Sequence, residues 1–162
     1  MRLAAIIAAS LALAGCCFMF QGDPYCSEYT REKPDEKDLV GVWVANARSL
    51  EWLKEKGYAV ASPPTLEIRA DGTFDMRAMP DCWRVFFDKE WKKVLESGSG
   101  KWSVQHVQDW YALEMDFHRL NGKDWQCTFS NHFNLRRQKS PYMVHVTVGD
   151  PDSGDCIEFE KQ

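Results

Sequence analysis

No stretch of the 162-residue chain reaches the ~20 consecutive apolar residues that a membrane-spanning helix requires; its longest apolar run, residues 3–13, is about a dozen, which excludes a stable span. Excess positive charge is missing too. Lys and Arg number 20 against 24 Asp and Glu, a net charge of −4, which leaves no electrostatic footprint for phosphates and sets nucleic-acid binding aside. Neither C-x2-C nor H-x3–5-H spacing of a zinc site occurs, and the four histidines, His106, His118, His132 and His145, are scattered among predicted strands. They read as structural or solvated, and neither a metal nor a cofactor is expected. The chain also lacks a G-x-S-x-G nucleophile elbow and a glycine-rich phosphate loop. With no nucleophile and no catalytic cluster, it reads as non-enzymatic.

What is present begins at the N-terminus. Arg2 supplies a small positive region, residues 3–13 an apolar one, and Leu13-Ala14-Gly15-Cys16 follows directly. That quartet resembles the lipobox of bacterial lipoproteins. The resemblance implies cleavage before Cys16, a thioether-linked diacylglycerol on its sulfur, and further acylation, palmitate being typical, of the new amino group. Several acyl chains make a durable anchor where one would be marginal. Cys17 carries no Asp of the kind that retains enterobacterial lipoproteins at the inner membrane, so the expected location is the cell envelope, anchored to the outer membrane and facing the periplasm. Loss of residues 1–15 removes one cation and no acid, making the mature chain more acidic by one charge.

Six cysteines are present: Cys16, Cys17, Cys26, Cys82, Cys127 and Cys156. If Cys16 carries lipid and Cys17 sits against the membrane, four remain for up to two disulfides in an oxidising compartment, with three possible pairings. Cys127 shares a face with Trp125 and Phe129, and Cys156 alternates against Ile157 and Phe159. Two sulfurs on opposite faces of one sheet cannot approach bonding distance. That parity disfavours Cys127 with Cys156 and favours Cys26–Cys156 together with Cys82–Cys127.

Residues 16–38 open with aromatics and continue into a charged stretch, the composition of a tether. From residue 39 to 162 the pattern becomes short runs of alternating apolar residues, the period of half-buried strands. Asp71-Gly72, between Leu66/Ile68/Ala70 and Phe74/Met76/Ala78, predicts a tight hairpin. Along residues 125–137, Trp125, Cys127, Phe129, Phe133 and Leu135 share one face. Further strands are expected over residues 39–45, 100–107, 110–118, 142–148 and 156–161, with another over 82–87 if it pairs. Ser49 can cap a short helix over residues 49–56 ended by Gly57, and Asp88 a second one carrying Trp91, Val94 and Leu95. About eight strands with short connections describe an all-β antiparallel meander barrel with one or two short helices.

Gly41-Val42-Trp43 in the first strand, then a short helix and a run of antiparallel strands, resembles the G-x-W opening of lipocalins and bacterial lipocalin-like lipoproteins; Gly100-Lys101-Trp102 repeats the motif. The family usually adds a basic residue on the last strand that covers this Trp, and CIEFEKQ offers Lys161 at its end. The resemblance implies a lipid-anchored binding protein of the cell envelope whose barrel holds a small apolar ligand or a protein partner. Trp43, Phe74, Trp102, Phe129 and Phe133 would face inward and either line a ligand cavity or fill the core. An alternative is an envelope inhibitor or immunity-type protein acting through a surface loop. A second alternative, a hydrolase or isomerase on the same barrel, requires a polar cluster inside, where nearly all inward positions read as apolar. Asp150, Asp152 and Asp155 in GDPDSGD read as a hairpin turn in preference to a calcium loop.

Overall fold

The computed structural model describes residues 28–84, 91–124 and 130–162. Within them lie two α-helices, α1 (Glu36–Leu39) and α2 (Ala47–Glu55), and nine strands. The strands are β1 (Gly41–Ala45), β2 (Thr65–Ile68), β3 (Thr73–Pro80), β4 (Leu95–Val107), β5 (Trp110–Leu120), β6 (Lys123–Asp124), β7 (Ser130–Arg136), β8 (Met143–Thr147) and β9 (Cys156–Lys161). Each strand pairs antiparallel with its neighbour in the order β4-β3-β2-β1-β9-β8-β7-β5, and β4 pairs β5 to close the circle. Two-residue β6 adds only a short hairpin to β5. The product is a closed eight-stranded antiparallel barrel with one extra strand, consistent with a lipocalin-like all-β fold.

Alternation produces the core as the sequence predicts. Leu66, Ile68, Phe74 and Met76 are buried side by side across the β2–β3 hairpin. Its turn is made by Asp71, whose carboxylate accepts from the Thr73 N–H and hydroxyl at 2.9 and 2.6 Å, and by Gly72 at φ +80°, a conformation costly for a side chain. The alternation stops at both ends of the run. Ala70 is exposed, and Ala78 sits at φ +55° where the β3–β4 register slips between Met76 and Met79. This bulge switches parity, so Met79 and not Ala78 enters the core. On β4 the Ser-Gly-Ser-Gly stretch serves close approach: a Cβ on Gly98 would lie 2.8 Å from the Phe117 ring, and one on Gly100 only 1.9 Å from the Asp116 carbonyl oxygen.

Two helix expectations change. α2 starts at Ala47, because the Asn46 side chain accepts from the Ser49 N–H at 2.9 Å and is the true N-cap. Ser49 lies inside the helix, buried, its hydroxyl accepting from the Glu158 N–H at 2.8 Å. The second helix does not form over its described part. Residues 91–94 are irregular and Leu95 already begins β4, pulled into the barrel by pairing with β3 and β5, a gain that outweighs local helical periodicity. Asp88 lies outside the described residues. Cys82 is not on a strand but in a 3-10 turn, Asp81–Arg84.

The segment read as a tether is described from residue 28 onward, and there it is docked. Residues 28–31 insert where β5 and β7 diverge: the Thr30 N–H donates to the Leu135 carbonyl and its carbonyl accepts from the Tyr111 N–H, both at 2.8 Å. Tyr29 is buried against Trp110 and His145, with ring centroids at 5.2 and 5.7 Å. α1 then tucks a fully buried Leu39 under the barrel.

Cys82 and Cys156 are both buried and are not joined to each other. Each of the two favoured disulfides has one member, Cys127 or Cys26, outside the described residues.

Candidate functional site

One barrel end is shut by α1 and the β2–β3 turn. The Trp43 indole N–H donates to the Leu39 carbonyl at 2.8 Å, and that of Trp102 to the Arg69 carbonyl at 2.9 Å. Register places Lys161 opposite Trp43. Its ammonium lies 6.0 Å from the Trp43 ring centroid and donates to the Asp38 carbonyl at 2.9 Å, while its stem runs over Gly41, where a Cβ would meet Lys161 Cε at 2.7 Å. A basic side chain of the last strand thus lies over the first-strand Trp, and its stem gives a reason for the glycine at position 41.

The other end is different. From β3 the chain turns inward through Asp81–Arg84, and Trp83 is driven among the rings of the barrel, 4.7 Å from Phe117 and 6.1 Å from Phe133; Phe117 in turn stands edge-on to Phe74 at 4.9 Å. Trp83 is 4% exposed, yet its indole N–H has no hydrogen-bond partner among the described residues. Leaving such a donor unmet when buried costs about 1–3 kcal/mol, so it calls for an acceptor.

Polar groups gather near this end of the barrel, contrary to the expectation of a nearly all-apolar interior. Glu96 pairs across from Met79 and Asn131 across from Met115, both of which face the core, so both polar side chains point inward; both are buried. Asp81 is buried as well, accepting from the Tyr58 hydroxyl at 2.7 Å and the Lys92 N–H at 2.8 Å. Burial, with the contacts to Cys82 and Asp81, pushes the Tyr58 phenol well above its usual range. Burial likewise pushes the Cys82 thiol up to about 12, which keeps it a protonated, unreactive thiol.

A separate cluster lies on the outer wall. Glu158 on β9 is opposite His145 on β8; Arg136 on β7 forms ion pairs with Glu158 and with Glu28 of the docked segment, and the Asn46 amide donates to Glu158 Oε2 at 3.1 Å. The neighbouring His145 foremost, and then Asn46 and Arg136, hold the Glu158 carboxyl at about 2 against the upward push of burial.

Of the aromatic set singled out in the sequence, Phe74 and Phe133 are joined through Phe117 and Trp83, whereas Trp43 and Trp102 serve the closed end. Phe129 lies outside the described residues. Trp83, Glu96 and Asn131 escaped the sequence reading. Trp83 sits beyond a strand end where parity lapses, and Glu96 lies in a stretch whose apolar spacing imitates a helix. Asp150 caps a short 3-10 turn at 150–154 and Asp155 accepts from the Trp52 indole at 2.9 Å, so GDPDSGD is a connecting turn. The chain matches no protein-family model, no curated protein and no solved structure.

Proposed function

We propose that this chain is a lipid-anchored binding protein of the bacterial cell envelope, non-enzymatic, whose barrel takes a small ligand with an apolar body and an uncharged hydrogen-bonding head. The observation that carries this reading is the buried Trp83 N–H within the Phe74–Phe117–Phe133 rings, without a hydrogen-bond partner among the described residues. The rings suit an alkyl or ring-bearing body and the indole N–H suits its acceptor. Asp81 and Glu96 line the same end, so a carboxylate head would meet like charge and is disfavoured. A protein partner is the weaker reading, because the large apolar side chains exposed among the described residues are just Val42 and Val94, too few for a docking patch.

Calorimetric titration with dodecanol and with laurate tests the ligand class. Dodecanol should bind and laurate should bind at least tenfold more weakly at neutral pH. In Trp83→Phe, loss of one hydrogen bond should weaken dodecanol binding by about fivefold while the fold persists. Equal affinity for both probes, or none for either, would contradict the reading.

The anchor rests on Leu13-Ala14-Gly15-Cys16 alone. Cys16→Ser should move the protein from the membrane fraction to the soluble fraction and abolish palmitate labelling, while Cys17→Ser should leave both unchanged. Labelling that survives Cys16→Ser contradicts the assignment.

A further inference from the structure

Alternation along β9 puts Cys156 and Glu158 on one face, the outer one, and register brings His145 of β8 across from Glu158. Each of the three offers one donor atom, and these atoms all lie within 4.8 Å of one another. All three residues are buried, at 1% exposure for His145, 8% for Cys156 and 4% for Glu158. His145 Nδ1 and Glu158 Oε1 are 3.6 Å apart. That separation matches one edge of a tetrahedron with metal–ligand bonds of about 2.0–2.3 Å, an edge of roughly 3.3–3.8 Å.

We propose that His145, Cys156 and Glu158 form a buried site for a divalent transition metal, zinc foremost. One imidazole nitrogen, one sulfur and one carboxylate oxygen are a borderline-soft donor set that suits zinc or cobalt and does not suit calcium or magnesium, which take oxygen alone. The surrounding charge agrees. Two carboxylates, Glu28 and Glu158, face the single guanidinium of Arg136. Loss of the Cys156 thiol proton to solvent on metal binding raises the local excess to two negative charges, which a divalent cation cancels. Outer contacts are in place to hold the ligands: Asn46 fixes Glu158 Oε2, the Ser49 hydroxyl fixes the Glu158 backbone, and the Tyr29 ring stands edge-on to His145. Such groups orient metal ligands and raise affinity. Three protein donors leave the fourth position to water or another ligand. Sequence spacing hid the site because its ligands meet across two strands instead of within one motif.

The test uses the full chain, reduced and stripped with a chelator, then titrated with cobalt(II). One equivalent should give sulfur-to-cobalt charge-transfer absorption together with the intense visible bands of tetrahedral cobalt, and zinc should displace both. Cys156→Ser should abolish the charge-transfer absorption and weaken binding by 10–100-fold or more, whereas Cys82→Ser, in the barrel core, should leave the spectrum unchanged. X-ray absorption at the zinc edge of the wild-type protein needs no variant and should find one sulfur and otherwise nitrogen or oxygen. Absence of cobalt bands in the folded protein, a zinc shell with no sulfur or with more than one, or charge transfer that survives Cys156→Ser would overturn the site. Peptide mapping of the non-reduced protein that joins Cys156 to Cys26 would overturn it as well, since that sulfur would be spent.

Discussion

Gly100→Ala should unfold the domain or destabilise it by at least ~3 kcal/mol, lowering Tm by roughly 10 °C for a chain of this size. The new Cβ would stand 1.9 Å from the Asp116 carbonyl oxygen and 3.0 Å from Phe117 Cα. Backbone, unlike the end of a flexible side chain, cannot step aside without breaking the β4–β5 ladder. This pair closes the barrel, and its register already shifts between Ser99 and Gly100 to let the strands come so near. The informative comparison is Gly57→Ala. Gly57 follows α2 at φ +85° with nothing within 4 Å of a built Cβ, so only the left-handed conformation is penalised, by about 1 kcal/mol. Thermal melts of the two variants measure the difference; equal Tm values would show that the approach at Gly100 is not tight.

Arg136→Met should cost about 3–5 kcal/mol, because it leaves the buried Glu158 carboxylate without its cation. Glu28 can turn to solvent; Glu158 cannot. Glu158, held down by His145 foremost and then by Asn46 and Arg136, also gives a pH dependence in metal-stripped protein. Glu158 titrates at about 2 in the folded chain against 4.5 for the ordinary group, so the unfolded state takes up its proton first. The resulting stabilisation, about 3 kcal/mol, is fully present above pH ~4.5 and is lost as the pH falls toward 2. The facing groups are Arg136 of β7, His145 of β8, Cys156 of β9 and Glu28 of the docked segment. Urea unfolding at pH 7, 4 and 3 should show wild-type stability falling below pH 4.5, with a shallower slope in Arg136→Met. Parallel slopes would mean that Arg136 does not hold Glu158 ionised.

Much of the barrel is legible in the chain. The Asp71-Gly72 turn, the alternation of Leu66, Ile68, Phe74 and Met76, and Gly41-Val42-Trp43 are local signals that tertiary structure respects. The contact of Lys161 with Trp43 from the last strand is not local and shows only in the folded chain. What stays hidden depends on neighbours remote in sequence. Residues 91–97 carry helical spacing, but 91–94 are irregular and Leu95 and Glu96 are claimed by pairing with β3. Glu96 faces inward by simple alternation along β4 with Gly98, Gly100 and Trp102, but only the bulge at Ala78 sets Met79 beside it. The segment 16–38 reads as a solvated tether until the gap between β5 and β7 receives Tyr29 and Thr30. Trp83 gains its meaning from Phe117 and Phe133, strands away, and from an N–H that no described residue meets.

That N–H offers the most direct measurement. In a proton–nitrogen spectrum of protein labelled at tryptophan nitrogen, the Trp83 indole signal, identified by its loss in Trp83→Phe, should move downfield on addition of dodecanol as it gains an acceptor. The indole signals of Trp43 and Trp102, already bonded to the carbonyls of Leu39 and Arg69, should hardly move. A Trp83 signal unmoved by saturating dodecanol would contradict binding beside Trp83, and with it the account of what the barrel is for.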